Sequence, residues 1–193
     1  IPDTIFQKKW NQFNDTKEKT LEIVTVARFS PQKKILETLD VVNNAVHQGI
    51  KLHLTFIGNG PLFDQAVSQA NAIGIENHVT FLGARTDVEK LLPNYDLFLL
   101  LSNWEGFPIS IIEAMRAGLP VMASDVGGVS ESVESKIGWL IPSHTENVVH
   151  EIQQISAHKD ILVKKGIAAR EKYLNHFTVY KMIKEIYRVY QTL

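Results

Sequence analysis

Short apolar runs alternate with longer amphipathic segments along most of this chain, and that alternation limits its fold more than any other feature. The runs are continuously apolar, which is typical of parallel strands covered on both faces. Repeated strand–helix units predict an α/β fold, a Rossmann-like, doubly wound parallel sheet of about six strands with helices on both faces. The predicted strands are Leu21–Phe29, Leu52–Ile57, Val79–Leu82, Leu97–Leu101, Pro120–Ala123 and Gly138–Ile141.

The segments between the strands carry helix start and stop signals. Ser30 precedes Pro31, a residue suited to the first helical position, so we predict that Ser30 caps a helix there. The inner face of that helix is apolar, with Ile35, Leu36, Leu39, Val42 and Val46. The other predicted helices run from Pro61 to about Ile73, over Asp87–Leu92, from Pro108 to Gly118 and, as two or three successive helices, from Asn147 to Tyr190.

Composition narrows the classes of function. The chain has 193 residues, enough for one well-cored domain, and a formal net charge of -1, so no bulk attraction to nucleic acid or to an anionic membrane is indicated. It has no cysteine, which excludes disulfides, thiolate metal sites and a cysteine nucleophile and fits a cytoplasmic protein. The seven histidines lack metal-ligand spacing, and no Asp-x-Asp is present. The apolar runs are too short to span a bilayer.

Ligands of open parallel sheets bind outside the carboxyl ends of the strands, so the segments that follow the strands matter most. Glycines recur in these segments, and the segment after the first strand carries two basic residues, Arg28 and Lys33. Together they form a plausible cradle for an anionic ligand. The segments are Arg28–Lys33, Gly58–Pro61, Gly83–Thr86, Ser102–Ile109 and Ser124–Gly128.

Glu105 and Glu113 are the only two glutamates that stand eight positions apart. The helix that begins at Pro108 is mostly apolar, so the Glu113 carboxylate needs a partner, and sugar hydroxyls would suit it. The unpaired N–H groups of Ile109 and Ser110 at the helix start form an anion site. The alternative is an ordinary surface, with Glu113 paired to Arg116 one turn along and Glu105 exposed in a loop, and the spacing alone favours it.

Residues 105–128, from Glu-Gly-Phe-Pro-Ile-Ser-Ile-Ile-Glu-Ala-Met-Arg to Asp-Val-Gly-Gly, closely resemble the signature of retaining glycosyltransferases of family 4, also called group 1, which have the GT-B fold. The resemblance extends through Ala27–Lys33, Ile57–Pro61 and Val79–Gly83, in order, from about residue 21 to residue 142. Two positions depart from the pattern, because Ala27 and Pro108 stand where glycine is frequent.

The resemblance implies roles for individual residues. Glu113 would accept the ribose hydroxyls of a nucleotide sugar, and Glu105 would contact hydroxyls of the transferred sugar. Arg28 and Lys33 would neutralise the diphosphate, with Lys34 as an alternative to Lys33. On their own, Arg28 would be read as half of a strand-end salt bridge, Lys33 as a solvated lysine and Gly58 as part of a tight turn. The amides of Ile109 and Ser110 would hold the diphosphate, and main-chain groups of Ala84 and Arg85 would hold the nucleotide base. Gly127-Gly128 would lie near the sugar. The other implied donor-binding residues are Gly58 and Phe107.

The resemblance also implies a function for the whole protein. The chain would be the C-terminal, donor-binding half of a retaining, metal-independent enzyme without cofactor, which passes a sugar from a nucleotide-diphosphate sugar to an acceptor hydroxyl. Cell-surface polysaccharide or glycolipid synthesis is the expected setting, in the cytoplasm or at the inner face of the membrane through peripheral association. The acceptor, a glycan or glycolipid, would bind through an N-terminal domain that the chain lacks, so we expect the fragment alone to be inactive. No nucleic-acid partner is expected.

On this reading the chain has three parts. Residues 1–20 are polar with scattered aromatics, open without an initiator methionine and are predicted to be a leader or an inter-domain linker. Residues 21–175 form the donor-binding domain. Residues 176–193 form a C-terminal helix that packs toward the missing domain. Two other functions stay open at this point: a non-catalytic nucleotide-binding regulatory module, and a nucleotide-sugar epimerase of related fold.

Overall fold

The computed structural model describes residues 19–142 and 144–191, and these contain one six-stranded sheet. Every strand pair is parallel, and the spatial order is β3-β2-β1-β4-β5-β6. The prediction of a six-stranded, doubly wound parallel sheet is therefore confirmed. The strands are β1 Leu21–Val26, β2 Leu52–Ile57, β3 Val79–Phe81, β4 Leu97–Leu100, β5 Val121–Ser124 and β6 Gly138–Ile141.

Helices follow the strands, and three of them form the C-terminal tail of the described chain. Two of the crossovers also contain a short 3-10 turn, at Pro31–Lys33 and at Leu92–Asn94. The α-helices are α1 Ile35–His47, α2 Phe63–Ala72, α3 Val88–Leu91, α4 Ile109–Arg116, α5 Val129–Ser132, α6 Thr145–Ala157, α7 Asp160–His176 and α8 Val179–Gln191.

Each strand divides its side chains between two cores, because successive residues of a strand point to opposite faces of a sheet. In β4, Leu97 and Leu99 lie in one core with residues of α1 and α6, whereas Phe98 and Leu100 lie in the other with residues of α4 and α7. All four are at most 1% exposed. Both faces of the sheet are thus covered, which explains why the strands are apolar runs without alternation.

The strand order reverses direction beside β1. Helix crossovers from β1 lead outward to β2 and β3, whereas β4, β5 and β6 extend the sheet on the other side of β1. The loops that leave β1 and β4 lie at this reversal, and we call the place between them at the carboxyl edge of the sheet the crevice, since such folds bind ligands there.

The predicted start of the first helix is wrong. Ser30 makes no side-chain cap, and the residues from Pro31 to Lys33 form a 3-10 turn. Lys34 then adopts a left-handed backbone conformation, with φ of 44°, and α1 begins at Ile35. Strand β1 is also shorter than predicted, since the backbone turns where the amide of Ser30 donates to the carbonyl of Arg28. The turn directs the residues after β1 across the crevice toward the loop after β4.

The tail contains three helices, as predicted from the periodicity. Helix α7 packs on α4, and α8 follows it with no buried side chain. Residues 1–18, which hold most of the predicted leader, lie outside the described residues. The boundaries of the three predicted parts therefore stay predictions.

Candidate functional site

Lys33 and Glu105 meet across the crevice between β1 and β4. The Lys33 Nζ atom lies 2.5 Å from Oε1 of Glu105, and the hydroxyl of Ser102 donates to the same oxygen at 2.5 Å. The two side chains are only 16% and 5% exposed. Lys33 is therefore no solvated lysine, and Glu105 is no exposed loop residue. Both alternatives from the sequence are wrong for these residues.

Three further hydrogen bonds hold the two loops together. The side-chain amide of Gln32 donates to the carbonyl of Trp104 at 2.8 Å. In return, the backbone amide of Asn103 donates to the carbonyl of Gln32 at 2.9 Å, and its side-chain amide donates to the carbonyl of Pro31 at 3.1 Å. We call residues 31–33 and 102–105 with these contacts the clasp. Because several bonds act on each loop, the Lys33–Glu105 pair is fixed by the backbone on both sides.

A glycine pair supports the clasp from the loop after β5. Gly127 has φ of +51°, and a Cβ atom there would lie 1.9 Å from the carbonyl oxygen of Glu105. The amide of Gly128 donates to that same carbonyl at 3.2 Å. The hydroxyl of Ser124, at the end of β5, accepts a hydrogen bond from the backbone amide of Ser102 at 2.9 Å. These glycines thus allow a close backbone approach to Glu105, a packing role that the sequence left open.

Arg28 faces a separate cleft of about 300 Å³ at the carboxyl ends of β1, β2 and β3. Its side chain is exposed and forms no ion pair with any residue that the structure describes. The predicted alternative of a strand-end salt bridge is therefore wrong. The residues that line the cleft are Val26, Ala27, Arg28, Ile57, Gly58, Asn59, Ala84, Arg85 and Val88.

Gly58 and Arg85 both line this cleft. Gly58 has φ of +142°, and a Cβ atom there would lie 1.9 Å from the carbonyl oxygen of Ala27, so only glycine lets the loops after β1 and β2 approach. The guanidinium of Arg85 donates two hydrogen bonds to Asp87, at 2.9 and 2.8 Å, and thereby lowers the pKa of that carboxyl. Arg85 and Ala84 both line the cleft, and the side chain of Arg85 is engaged with Asp87.

The start of α4 offers free backbone donors beside the clasp. Ile109 and Ser110 are the first helical residues, and their amides have no acceptor among the described residues. Ile109 is 71% exposed, so the first residue of the helix lies at the surface. Phe107, just before the helix, contacts Phe177 of the tail with ring centroids 5.8 Å apart.

Glu113 lies on the outer side of α4 and forms no ion pair within residues 19–142 and 144–191, so the predicted pairing with Arg116 is absent. Partial burial raises the pKa of its carboxyl above the ordinary value. Arg116 acts in the opposite direction, and the charge of Glu89 on α3 adds to the rise. Glu89 follows Val88, which lines the Arg28 cleft. Glu113 is thus a carboxylate without an ion-pair partner in the described part of the chain, close enough to α3 for the charge of Glu89 to affect its pKa.

The structure therefore gathers the predicted residues at one edge of the sheet, in two settings. Lys33 and Glu105 are in direct contact, and Arg28, Gly58, Ala84 and Arg85 line one cleft. The sequence did not point to Ser102, Gln32 or Asn103, which build the clasp. Their partners stand far away along the chain, so only the fold reveals their role. In the described part of the chain, no three His, Asp or Glu side chains are grouped as a metal ion would need.

The family profile described as "Glycosyl transferases group 1" matches residues 6–172, most of the chain. The chain belongs to this family, and the resemblance found in the sequence is confirmed. It is 27% identical over 170 residues to an N-acetyl-alpha-D-glucosaminyl L-malate synthase of Bacillus anthracis, which covers 87% of this chain and 44% of that protein. It is 28% identical over 193 residues to the amylovoran biosynthesis glycosyltransferase AmsK of Erwinia amylovora, covering 93% and 47%.

Solved structures of similar fold include glycosyltransferases crystallised with UDP. Anabaena HepE in complex with UDP matches with a TM-score of 0.80 and 23% identity over all of this chain and 54% of that one. TarM of S. aureus, in a complex that contains UDP, matches with a TM-score of 0.80 and 22% identity over 89% of this chain and 36% of that one. At these identities the likeness concerns the fold.

The chain spans about half the length of the curated relatives that it matches. Its described helices include none with the length and apolar character needed to cross a bilayer.

Proposed function

We propose that this chain is the donor-binding half of a retaining glycosyltransferase and binds a nucleotide-diphosphate sugar at the carboxyl edge of its sheet. The observation that carries the proposal is the position of two cations, Arg28 and Lys33, and of the free amides at the start of α4, all in the loops that follow β1 and β4 at one edge of the sheet. A diphosphate needs such a set of donors and positive charges, and the loops after β1 and β4 supply it at the point where the strand order reverses.

The nucleotide would occupy the Arg28 cleft. Ala84 and Arg85 line this cleft, and their main-chain groups would recognise the base. The ribose would then lie near α4, where the unpaired carboxylate of Glu113 accepts its hydroxyls. An unpaired carboxylate that is partly desolvated is suited to this role, because a hydroxyl donor restores the hydrogen bonds lost from water.

The transferred sugar would lie over the clasp. Lys33 and Ser102 both contact Oε1 of Glu105, so Oε2 is left without a protein donor among the described residues. That oxygen can accept a sugar hydroxyl. The sugar would then lie beside Lys33, whose charge would be next to the bond that breaks.

Transfer would require stabilisation of the departing diphosphate. Negative charge builds on it in the transition state, and fixed donors oppose that charge without reorganisation. Arg28 can grip phosphate oxygens with its planar fork, and Lys33 adds a point charge. Since these groups supply positive charge from the chain itself, we propose a metal-independent reaction. Retention would follow from front-face displacement, with the leaving phosphate accepting the proton of the acceptor hydroxyl.

The acceptor domain would lie in the half of the protein that this chain does not include. Helix α8 offers a surface for it, because one side of the helix carries apolar side chains at helical spacing. These are between 45% and 72% exposed, an arrangement that a neighbouring domain would cover. They are Val179, Met182, Ile183, Ile186 and Tyr190.

Titration calorimetry of the chain with UDP, GDP and ADP tests the proposal. We expect saturable one-to-one binding of at least one of them and little or no sugar transfer by this chain alone. Absence of binding by all three would contradict the proposal. A comparison with the matching nucleotide sugar separates the alternatives, since a regulatory module would bind the diphosphate and its sugar derivative equally. Conversion of the donor sugar without an acceptor would indicate an epimerase.

A further inference from the structure

The contact between Lys33 and Glu105 carries a further inference, which rests on the proposed function. The Glu105 side chain is 5% exposed, and Lys33 is its only cationic partner in the described part of the chain. If Lys33 left to bind a diphosphate, the Glu105 carboxylate would stay buried, and the Ser102 hydroxyl would be its one side-chain donor among residues 19–142 and 144–191. Separating a buried ion pair is costly, so exchange of partners is unfavourable.

The ammonium group of Lys33 can serve both partners at once. It has three hydrogen-bond donors, and its contact with Oε1 of Glu105 uses one. The remaining donors can reach an anion in the crevice while that contact persists. We infer that Glu105 is a positioning residue for the diphosphate, which keeps the charge of Lys33 at the crevice before and after the nucleotide binds.

The clasp explains why such positioning is effective. A free lysine side chain loses rotamer freedom when it binds a phosphate, and this loss of entropy opposes binding. Here that freedom is already lost on folding, since Lys33 contacts Glu105 and the 3-10 turn that contains Lys33 is bonded to Asn103 and Trp104. Glu105 would thus act at both ends of the donor: through Oε1 on the diphosphate, by way of Lys33, and through Oε2 on the sugar.

A double-mutant cycle on nucleotide binding tests this inference. UDP, GDP and ADP are titrated into the unaltered chain, and the best binder and its own nucleoside are then measured with Glu105→Gln, Lys33→Met and the double variant. We expect Glu105→Gln to bind the diphosphate about tenfold more weakly, since a charge-assisted contact is lost from the lysine. The double variant should bind no more weakly than Lys33→Met alone, because the two residues act as one unit.

The affinity for the nucleoside is the control measurement, because the nucleoside has no diphosphate. A general structural defect would lower this affinity, whereas loss of Lys33 positioning would not. Its affinity should stay within twofold in all three variants. Lys136→Met and Glu76→Gln, two exposed positions, serve as charge-matched controls and should leave both affinities unchanged. If Glu105→Gln does not fold, Glu105→Asp replaces it. It keeps the charge but draws it back by one methylene, and should weaken diphosphate binding about threefold.

The outcomes separate this inference from the function on which it rests. Diphosphate binding by Glu105→Gln or Glu105→Asp at the level of the unaltered chain would overturn the inference and leave the proposed function standing. Additive losses in the double variant would also overturn it. If the unaltered chain binds none of the three nucleotides, the proposed function fails, and the inference fails with it.

Discussion

The clasp holds one pair of charged side chains, and Arg28 and Glu113, which we call the open side of the site, are another. The two sets differ in burial and in whether they have a partner within the protein. Lys33 and Glu105 are nearly buried and satisfied by each other and by Ser102. Arg28 and Glu113 lie at the surface and have no ion-pair partner within the described residues. One pair is assembled by folding, and the other is left for a ligand to complete.

This difference separates stability from binding. Residues of the clasp make contacts that stabilise the fold and also form part of the site, so changing them should lower both the free energy of unfolding and the affinity for the nucleotide. The side chains of the open side form no ion pair within the described residues, so changing them should lower the affinity alone. A buried ion pair is expensive to break, whereas an exposed unpaired charge is cheap to remove.

The largest effect is expected at Gly127. In Gly127→Ala the new Cβ atom would overlap the carbonyl of Glu105, which is backbone and cannot move aside, at a positive φ. We expect a loss of about 3 kcal/mol in the free energy of unfolding, measured by urea denaturation. Gly49→Ala is the matched control. It also has positive φ but meets no atom within 4 Å, and should cost about 1 kcal/mol. Equal losses would show that backbone conformation, and not contact with the clasp, makes Gly127 necessary.

Lys33→Met and Arg28→Met compare the two sides directly. Removing Lys33 leaves the Glu105 carboxylate buried without a cation, so we expect unfolding to be easier by about 2 kcal/mol. Removing Arg28 should change stability by less than about 0.5 kcal/mol, because the side chain is exposed and unpaired. Both variants should bind a nucleoside diphosphate more weakly. Similar stabilities for the two variants would break the distinction between the clasp and the open side.

Glu113→Gln should separate stability from binding through pH. Burial raises the pKa of Glu113 in the folded protein, so the folded state holds this proton more tightly than the unfolded chain does. The group therefore adds stability at low pH, and that contribution is lost as pH rises through the folded pKa.

At pH 7 we expect Glu113→Gln to unfold at a urea concentration equal to or above that of the unaltered chain, yet to bind the diphosphate about tenfold more weakly. The difference in midpoint should fall as pH drops toward 4.5, the ordinary value. Glu76→Gln, at an exposed position away from the site, should change neither property. If Glu113→Gln were less stable than the unaltered chain at pH 7, Glu113 would contribute to stability as the residues of the clasp do, and the distinction would fail.

The smallest effect is expected at Arg85. Its guanidinium is engaged with Asp87, and only its main chain is proposed to contact the base. Arg85→Ala should therefore change diphosphate affinity by less than twofold in the same calorimetric assay. A loss as large as that of Arg28→Met would show that the side chain turns into the cleft when the ligand binds.

The sequence predicted the sheet better than the site. Continuous apolar runs located all six strands, because strands buried on both faces have few other compositions. The first helix was misplaced at its start, since the left-handed conformation of Lys34 depends on a turn that docks on another loop. Glu105 was left open between a ligand contact and an exposed residue for the same reason. Its partner Lys33 lies 72 positions away, and a contact at that separation has no local signal.

A crystal structure of the chain with the best-binding nucleoside diphosphate would test the central claim most directly. The account predicts the diphosphate in the crevice between β1 and β4, within hydrogen-bond reach of Arg28, Lys33 and the amides of Ile109 and Ser110, with Lys33 still in contact with Glu105. A diphosphate bound elsewhere on the chain, away from Arg28 and from the start of α4, would contradict it.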